Sequence, residues 1–269
     1  MGAVRFALDV PNFGAFHDIR LIAEVAASAE AGGWDGFFIW DHMAPGAPTA
    51  DATVALSAIA LATERIRFGP LVTPLPRRRV QKVAREFASL DRLSRGRVVL
   101  GVGLGFPPDV EYVAFGEDGS DRRRADRLDE SLEVLDALWR GVPVEHDGEH
   151  LHVRSAPFLP RPVQEPRIPV WVAGGWPNAR NAFRRAARWD GIYAMPSDPS
   201  QHFFLLPDEI HALRDAIGRT DPGFEVLATA YAGAEPDVLA AAGATWWVQV
   251  CTTGEEALER ARSGPPRSN

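Results

Sequence analysis

His42 stands directly after Trp40-Asp41, where the apolar run that begins at Gly36 gives way to the loop DHMAPGAPTA. An imidazole titrates near neutral pH, so at the end of a strand it can give a proton to a bound ring or take one from it. The plainer reading of a loop histidine is a hydrogen-bonded surface group, and Asp41 beside it suits a structural role as an acceptor for backbone amides. A second stretch, RVVLGVGLGF from Arg97 to Phe106, sets Gly101, Gly103 and Gly105 on one side of a strand and Val102 and Leu104 on the other. Glycine weakens a strand interior, so three in alternation suggest that something large lies against that face. A flat cofactor ring and the side chains of neighbouring strands both meet that description. The stretch is not a dinucleotide turn, because Phe106 and Pro108 break the two G-x-G-x-x-G frames. Gly174-Gly175, just ahead of Pro177, make a strand-to-helix turn whose bare amides either face an anion such as a phosphate or simply turn the chain.

Two other groupings carry less. His146, His150 and His152 resemble a metal cluster, but they straddle the Asp147-Gly148 turn of a hairpin, VEHDGEHLHV, and no cysteine or carboxylate stands at ligand spacing, so no metal is expected. There is no G-x-S-x-G nucleophile, and the single cysteine, Cys251, can form no internal disulfide.

The elements that must position these residues repeat. Strand starts at Arg5, Gly36, Arg67 and Val98 are evenly spaced, each strand being followed by a helix. These helices carry Ile22, Val25, Ala26 and Ala29, an Ala-rich stretch from Asp51 to Thr63, and Val80, Val83, Ala84 and Phe87. Strands alternating with amphipathic helices argue for parallel pairing through right-handed crossovers. An insertion then separates Phe106 from Ile168 and holds a helix, Arg122 to Trp139, with Leu128, Leu132, Leu135 and Trp139 as its apolar stripe. Strands at Ile168 to Gly175, Gly191 to Met195, Phe224 to Tyr231 and Thr245 to Val250 bring the core to eight, with a helix beginning near Pro177. Eight parallel strands favour a (β/α)8 barrel, with chemistry on the rim where the strands end and Asp35 and Asp190, in two Trp-Asp-Gly turns, on the opposite, stabilising face.

Length and composition agree. The 269 residues suit a single barrel domain spanning 1–269, with the insertion at about 106–168 and a loose tail at about 263–269. The net charge of −7 makes no case for nucleic acid. No basic leader with an apolar core and no membrane-length apolar run stands out, so a cytoplasmic protein is expected.

Several blocks together resemble the bacterial luciferase-like flavin-dependent oxidoreductases: WDHM at Trp40 to Met43, GPLVTPLPRRRVQKVAREFASLDRLSRGRVVLGVGLGF at Gly69 to Phe106, EYVAFG at Glu111 to Gly116, IPVWVAGG at Ile168 to Gly175, WDGIY at Trp189 to Tyr193 and AGATWWVQV at Ala242 to Val250. The resemblance implies a (β/α)8 TIM barrel that binds FMN or coenzyme F420 non-covalently at its C-terminal rim. His42 matches the histidine near the reactive ring, and Thr73 lies on the strand whose bulged end supports that ring. Ala173, Gly174 and Gly175 match the phosphate-holding turn, and the cofactor-facing glycines are Gly103 and Gly105. The insertion matches the cover of the pocket. The activity so implied is oxidation or reduction of a small organic substrate, with a monooxygenase as the leading expectation. F420-linked hydride transfer and a non-catalytic flavin-binding protein are the alternatives. A separate flavin or F420 reductase and a homodimer complete the expected partners.

Overall fold

The computed structural model describes residues 4–43, 46–197 and 204–266. Each early unit is built as its sequence dictates. Strand β1 (Arg5–Val10) is followed by helix α1 (Ile19–Gly32), which Asp18 opens by accepting from the Arg20 amide and which Gly33 ends at φ 91°. Then come β2 (Gly36–Ile39) and α2 (Ala52–Ala62), whose N-cap Asp51 accepts from the Val54 amide. The third barrel strand is split into β3 (Arg67–Pro70) and β4 (Thr73–Pro74), with a cis peptide at Leu71–Val72 between them, and α3 (Val80–Leu93) follows. Sequence reading gave one continuous strand there, because the cis bond leaves no mark on apolar periodicity.

β5 (Leu100–Gly103) is the fourth barrel strand. The insertion holds α4 (Pro108–Glu111), α5 (Asp121–Trp139) and an antiparallel pair, β6 (Val144–Asp147) and β7 (His152–Ser155). The hairpin turn is wider than the Asp147-Gly148 expected. Asp147 pairs with His152, and the Glu130 carboxylate gathers the amides of Glu149, His150 and Leu151 into a four-residue loop. The insertion is tied back by Asp91, which accepts from the amides of Val163 and Gln164 at 2.6 and 3.0 Å. The barrel is completed by β8 (Val170–Trp176), α6 (Arg180–Ala186), β9 (Gly191–Pro196), α7 (Pro207–Ile217), β10 (Glu225–Thr229), α8 (Pro236–Ala241), β11 (Trp246–Val250) and α9 (Gly254–Ser263). Residues 267–269 of the expected loose tail lie outside the described residues.

All barrel strands are parallel, in the order β3-β2-β1-β11-β10-β9-β8-β5-β4. A parallel bridge between Phe68 of β3 and Val98, just before β5, closes the ring. Its interior is an aromatic plug: Phe38, Trp171 and Trp246 lie with ring centroids 5.4 to 5.9 Å apart, and Arg5 covers the Trp246 ring at 4.5 Å. Gly36 is glycine because a Cβ there would lie 2.8 Å from both Phe38 and Trp246. Trp247 faces the other way, onto Phe6 and Trp34.

The two Trp-Asp-Gly turns do the same job on opposite sides of the ring. Asp35 accepts from the Phe6 amide at 2.9 Å and Asp190 from the Val170 amide at 2.8 Å, so each carboxylate satisfies a strand start that the ladder leaves open. No helix among the described residues is long and apolar enough to cross a membrane.

The Gly101 position explains one part of the alternating glycines. A Cβ there would overlap the Pro70 carbonyl oxygen, so the neighbouring strand is the large object against that face. Gly101→Ala is therefore expected to cost about 1–3 kcal/mol by overpacking, read as a lower urea midpoint with an unchanged m-value.

Candidate active site

At the C-terminal rim the side chains converge as a barrel requires. Asn12, just past β1, is fully buried and holds the His42 backbone on both sides: its Nδ2 donates to the His42 carbonyl at 2.9 Å and its Oδ1 accepts from the His42 amide at 3.0 Å. The imidazole packs edge-on against Phe13 and Trp40, with centroids 5.5 and 5.8 Å away. Its Nδ1 meets Oε1 of Glu111 at 2.7 Å. The His42 side chain is 26% exposed and that of Glu111 is fully buried, so the pair has an outer and an inner member. Among the described residues Nε2 makes no hydrogen bond, which leaves it for a ligand.

Behind this pair lies a charge network. Arg77, buried in the turn between β4 and α3, donates from Nη1 to Glu111 Oε2 and from Nη2 to both the carbonyl and Oδ1 of Asp41, each at 2.7 Å. Asp41 also accepts from Thr73 Oγ1 at 2.9 Å and from Arg78 at 3.3 Å. Burial opposes ionisation of Glu111, yet the hydrogen bond from His42, the Arg77 guanidinium and the Met43 amide outweigh it and hold the carboxyl below its ordinary range. Glu111 is thus ionised at neutral pH, and it fixes the His42 tautomer by accepting at Nδ1.

The expected site residues fall into three places. His42 and Thr73 share the Asp41–Arg77 corner, and the Thr73 hydroxyl is committed to Asp41. Gly103 lies under Val72, whose Cγ2 a Cβ would approach to 2.7 Å, and beside Ala173. Gly105 sits at φ 85° against Pro74 and Tyr112. This loop is clamped, because Tyr112 donates to the Leu104 carbonyl at 2.6 Å and buried Arg124 donates to the carbonyls of Leu104 and Gly105. Arg124 is a structural clamp.

Ala173, Gly174 and Gly175 stand apart from the His42 corner, and they belong to β8 rather than to a helix start. They pair with Tyr193, Ala194 and Met195 of β9, and α6 begins only at Arg180. The ladder with β9 carries the strand as far as Trp176, and Pro177, lacking an amide hydrogen, ends it. A Cβ on Gly174 would come within 2.9 Å of Ala182, so this glycine lets α6 pack closely on the strand.

Sequence reading missed three residues. Glu111 and Arg77 lie inside the blocks that carry the resemblance, but nothing in their spacing marks them as partners of His42. Asp9, in the middle of an apolar strand, is the third. Its side chain is fully buried, its Oδ2 accepts from Trp40 Nε1 at 2.8 Å, and its Oδ1 has no partner among the described residues. Burial pushes its carboxyl up to about 8 against the lowering effect of the Trp40 bond. A charged residue in an apolar run is the signal that could have found it.

The chain is similar to known proteins in sequence and in fold. The chain is 31% identical over 241 residues to an F420-dependent glucose-6-phosphate dehydrogenase of Microbacterium testaceum, an alignment covering 86% of this chain and 69% of that one. In fold it resembles the coenzyme F420-dependent tetrahydromethanopterin reductase of Methanopyrus kandleri, with TM-score 0.76 and 17% identity over 96% of this chain and 97% of that one. It also resembles the oxygenating constituent of 3,6-diketocamphane monooxygenase from Pseudomonas putida in complex with FMN, with TM-score 0.66 and 21% identity over 84% of this chain and 67% of that one. The model of the luciferase-like monooxygenase family matches residues 7–265, and the chain therefore belongs to that family.

Proposed function

We propose that this protein is an oxidoreductase that binds F420 at the barrel rim and acts on a small organic substrate by hydride transfer. The observation that carries the reading is the His42–Glu111 pair: a partly exposed imidazole whose inner nitrogen is held by a buried, ionised carboxylate and whose outer nitrogen is left for a ligand. The dehydrogenase relative and the reductase fold neighbour support F420 over FMN as the first choice.

The residues suit a flat ring. Trp171 and Val99 face the barrel interior, so Ala173 and Gly175 on β8 and Gly103 on β5 share that inward face above them. Over this arc nothing larger than a methyl group projects inward, whereas Trp40 and His42 stand on the β2 side of the rim. The small-residue arc and Val72 would hold the ring, and Ser197, next to Gly175, would offer a hydroxyl to its polar chain. When bound, the deazaflavin supplies two-electron redox chemistry that no side chain possesses. His42 moves a proton at Nε2 to or from the substrate oxygen, Glu111 stabilises the imidazolium, and the aromatic edges of Phe13 and Trp40 keep water from its flanks.

A paired fluorescence titration with F420 and FMN tests the reading, followed by reoxidation of each reduced cofactor in air. Selective F420 binding with no oxygen uptake is the expected result. Tight FMN binding with protein-altered oxygen reactivity replaces hydride transfer with monooxygenation, and binding of neither removes the cofactor assignment.

A further inference from the structure

We propose that Asp9 is a positioning residue for His42, acting through Trp40: its carboxyl anchors the indole, and the indole and Phe13 form the edges of the box in which the imidazole is held. The chain of contacts is continuous. Trp40 Nε1 donates to Asp9 Oδ2 at 2.8 Å, the Trp40 ring meets the His42 ring at 64° and the Phe13 ring at 58°, and Phe13 meets His42 at 76°. Asn12 and Glu111 fix the backbone and Nδ1 of His42, but the ring's remaining freedom is rotation within that box, and the Trp40 plane limits it. Without the Asp9 acceptor the indole N–H would be an unpaired donor in a mostly buried site, and the ring would turn to find another partner.

The placement of Asp9 also makes the anchor chemically variable. The residues that face it are Trp40 just past β2, Tyr193 from β9 and Cys251 just past β11. Tyr193 in turn shares a hydrogen bond with Thr229 of β10 at 3.2 Å. Burial raises both the Tyr193 phenol and the Cys251 thiol, so neither supplies charge near neutral pH. Among the described residues no cation pairs with Asp9. Its carboxyl therefore accepts from the indole as a neutral acid at pH 7 and as a carboxylate only at higher pH, where the bond becomes charge-assisted and shorter.

The positioning role rests on the catalytic reading of His42, and the test separates the two. In protein labelled with ¹⁵N at the tryptophan indoles, the Trp40 resonance is assigned with Trp40→Phe and followed from pH 6 to 10. The expected result is a downfield shift with a midpoint near 8 that vanishes in Asp9→Asn, which keeps an acceptor oxygen but cannot ionise. In Asp9→Leu, which keeps the branching of the side chain but has no acceptor, the His42 ring resonances should move and turnover should fall about tenfold, with the cofactor dissociation constant little changed. A Trp40 indole that does not titrate, or His42 resonances unchanged in Asp9→Leu, overturns the proposal. Movement of both resonances in a protein that binds neither F420 nor FMN retains the positioning contact and overturns the cofactor reading alone.

Discussion

Replacing His42 by Ala is expected to lower turnover by about 10²–10⁴-fold and to leave cofactor affinity nearly as it was. The side chain is the only rim imidazole tied to a buried carboxylate among the described residues, and it can release or take a proton at Nε2 without leaving the pocket. The small-residue arc of β5 and β8 that would hold the ring lies on other strands, so truncation at position 42 does not disturb it. Glu111→Gln should follow in the same direction with a smaller loss, since an amide still accepts at Nδ1 but no longer balances an imidazolium. Single-turnover rates and equilibrium titrations on the same preparations separate the two quantities. An equal loss of binding and turnover in His42→Ala would make the residue a binding group and nothing more.

Arg77→Met is expected to be the most destabilising single change at the rim, by about 3–5 kcal/mol. The methionine fills a similar volume but leaves Glu111 and Asp41 without their shared cation, and the Glu111 side chain has no exposure through which water could replace it. Combining Arg77→Met with Glu111→Gln should recover part of the loss, because the uncompensated charge is then gone; urea midpoints of the four-member cycle measure that coupling. The wild-type protein carries the same dependence in its pH profile. The Glu111 carboxyl is held below its ordinary 4.5, so its contribution is fully present above that value and is lost as the pH falls through the lower, folded-state value. Asp9 acts with the opposite sign. Its carboxyl is raised from 3.8 to about 8, so between those values the folded state keeps a proton that the unfolded chain releases. Stability relative to Asp9→Asn should fall by about 1.4 kcal/mol per pH unit across that window.

Much of this was legible in the sequence because it is local. The even spacing of strand starts gave the parallel barrel, the Leu128–Trp139 stripe gave α5, and all four of its named residues are buried. The Trp-Asp-Gly echo gave two structural carboxylates, each of which needs only the strand start beside it. His42 was legible for the same reason, since its place after a strand is a statement about adjacent residues. Its partners were not. Glu111 lies 69 residues away and Arg77 belongs to the turn after β4, so their meeting is a property of the closed ring. Gly174 and Gly175 show the converse: a glycine pair before a proline reads as the end of a strand, but pairing with β9 carries β8 onward through Trp176.

The third barrel strand meets the approach to β5 at the Phe68–Val98 bridge and β5 itself over Thr73–Pro74, with the cis bond between. The rest of that seam is fastened by side chains: Arg97 at the lower end, donating to the carbonyls of Ala60, Thr63 and Ile66, and the Asp41–Arg77–Glu111 network at the upper end. The ions that hold the His42 ring are therefore also rivets of the barrel wall. Acid that protonates Glu111 is expected to free the His42 ring and to loosen the seam in one event.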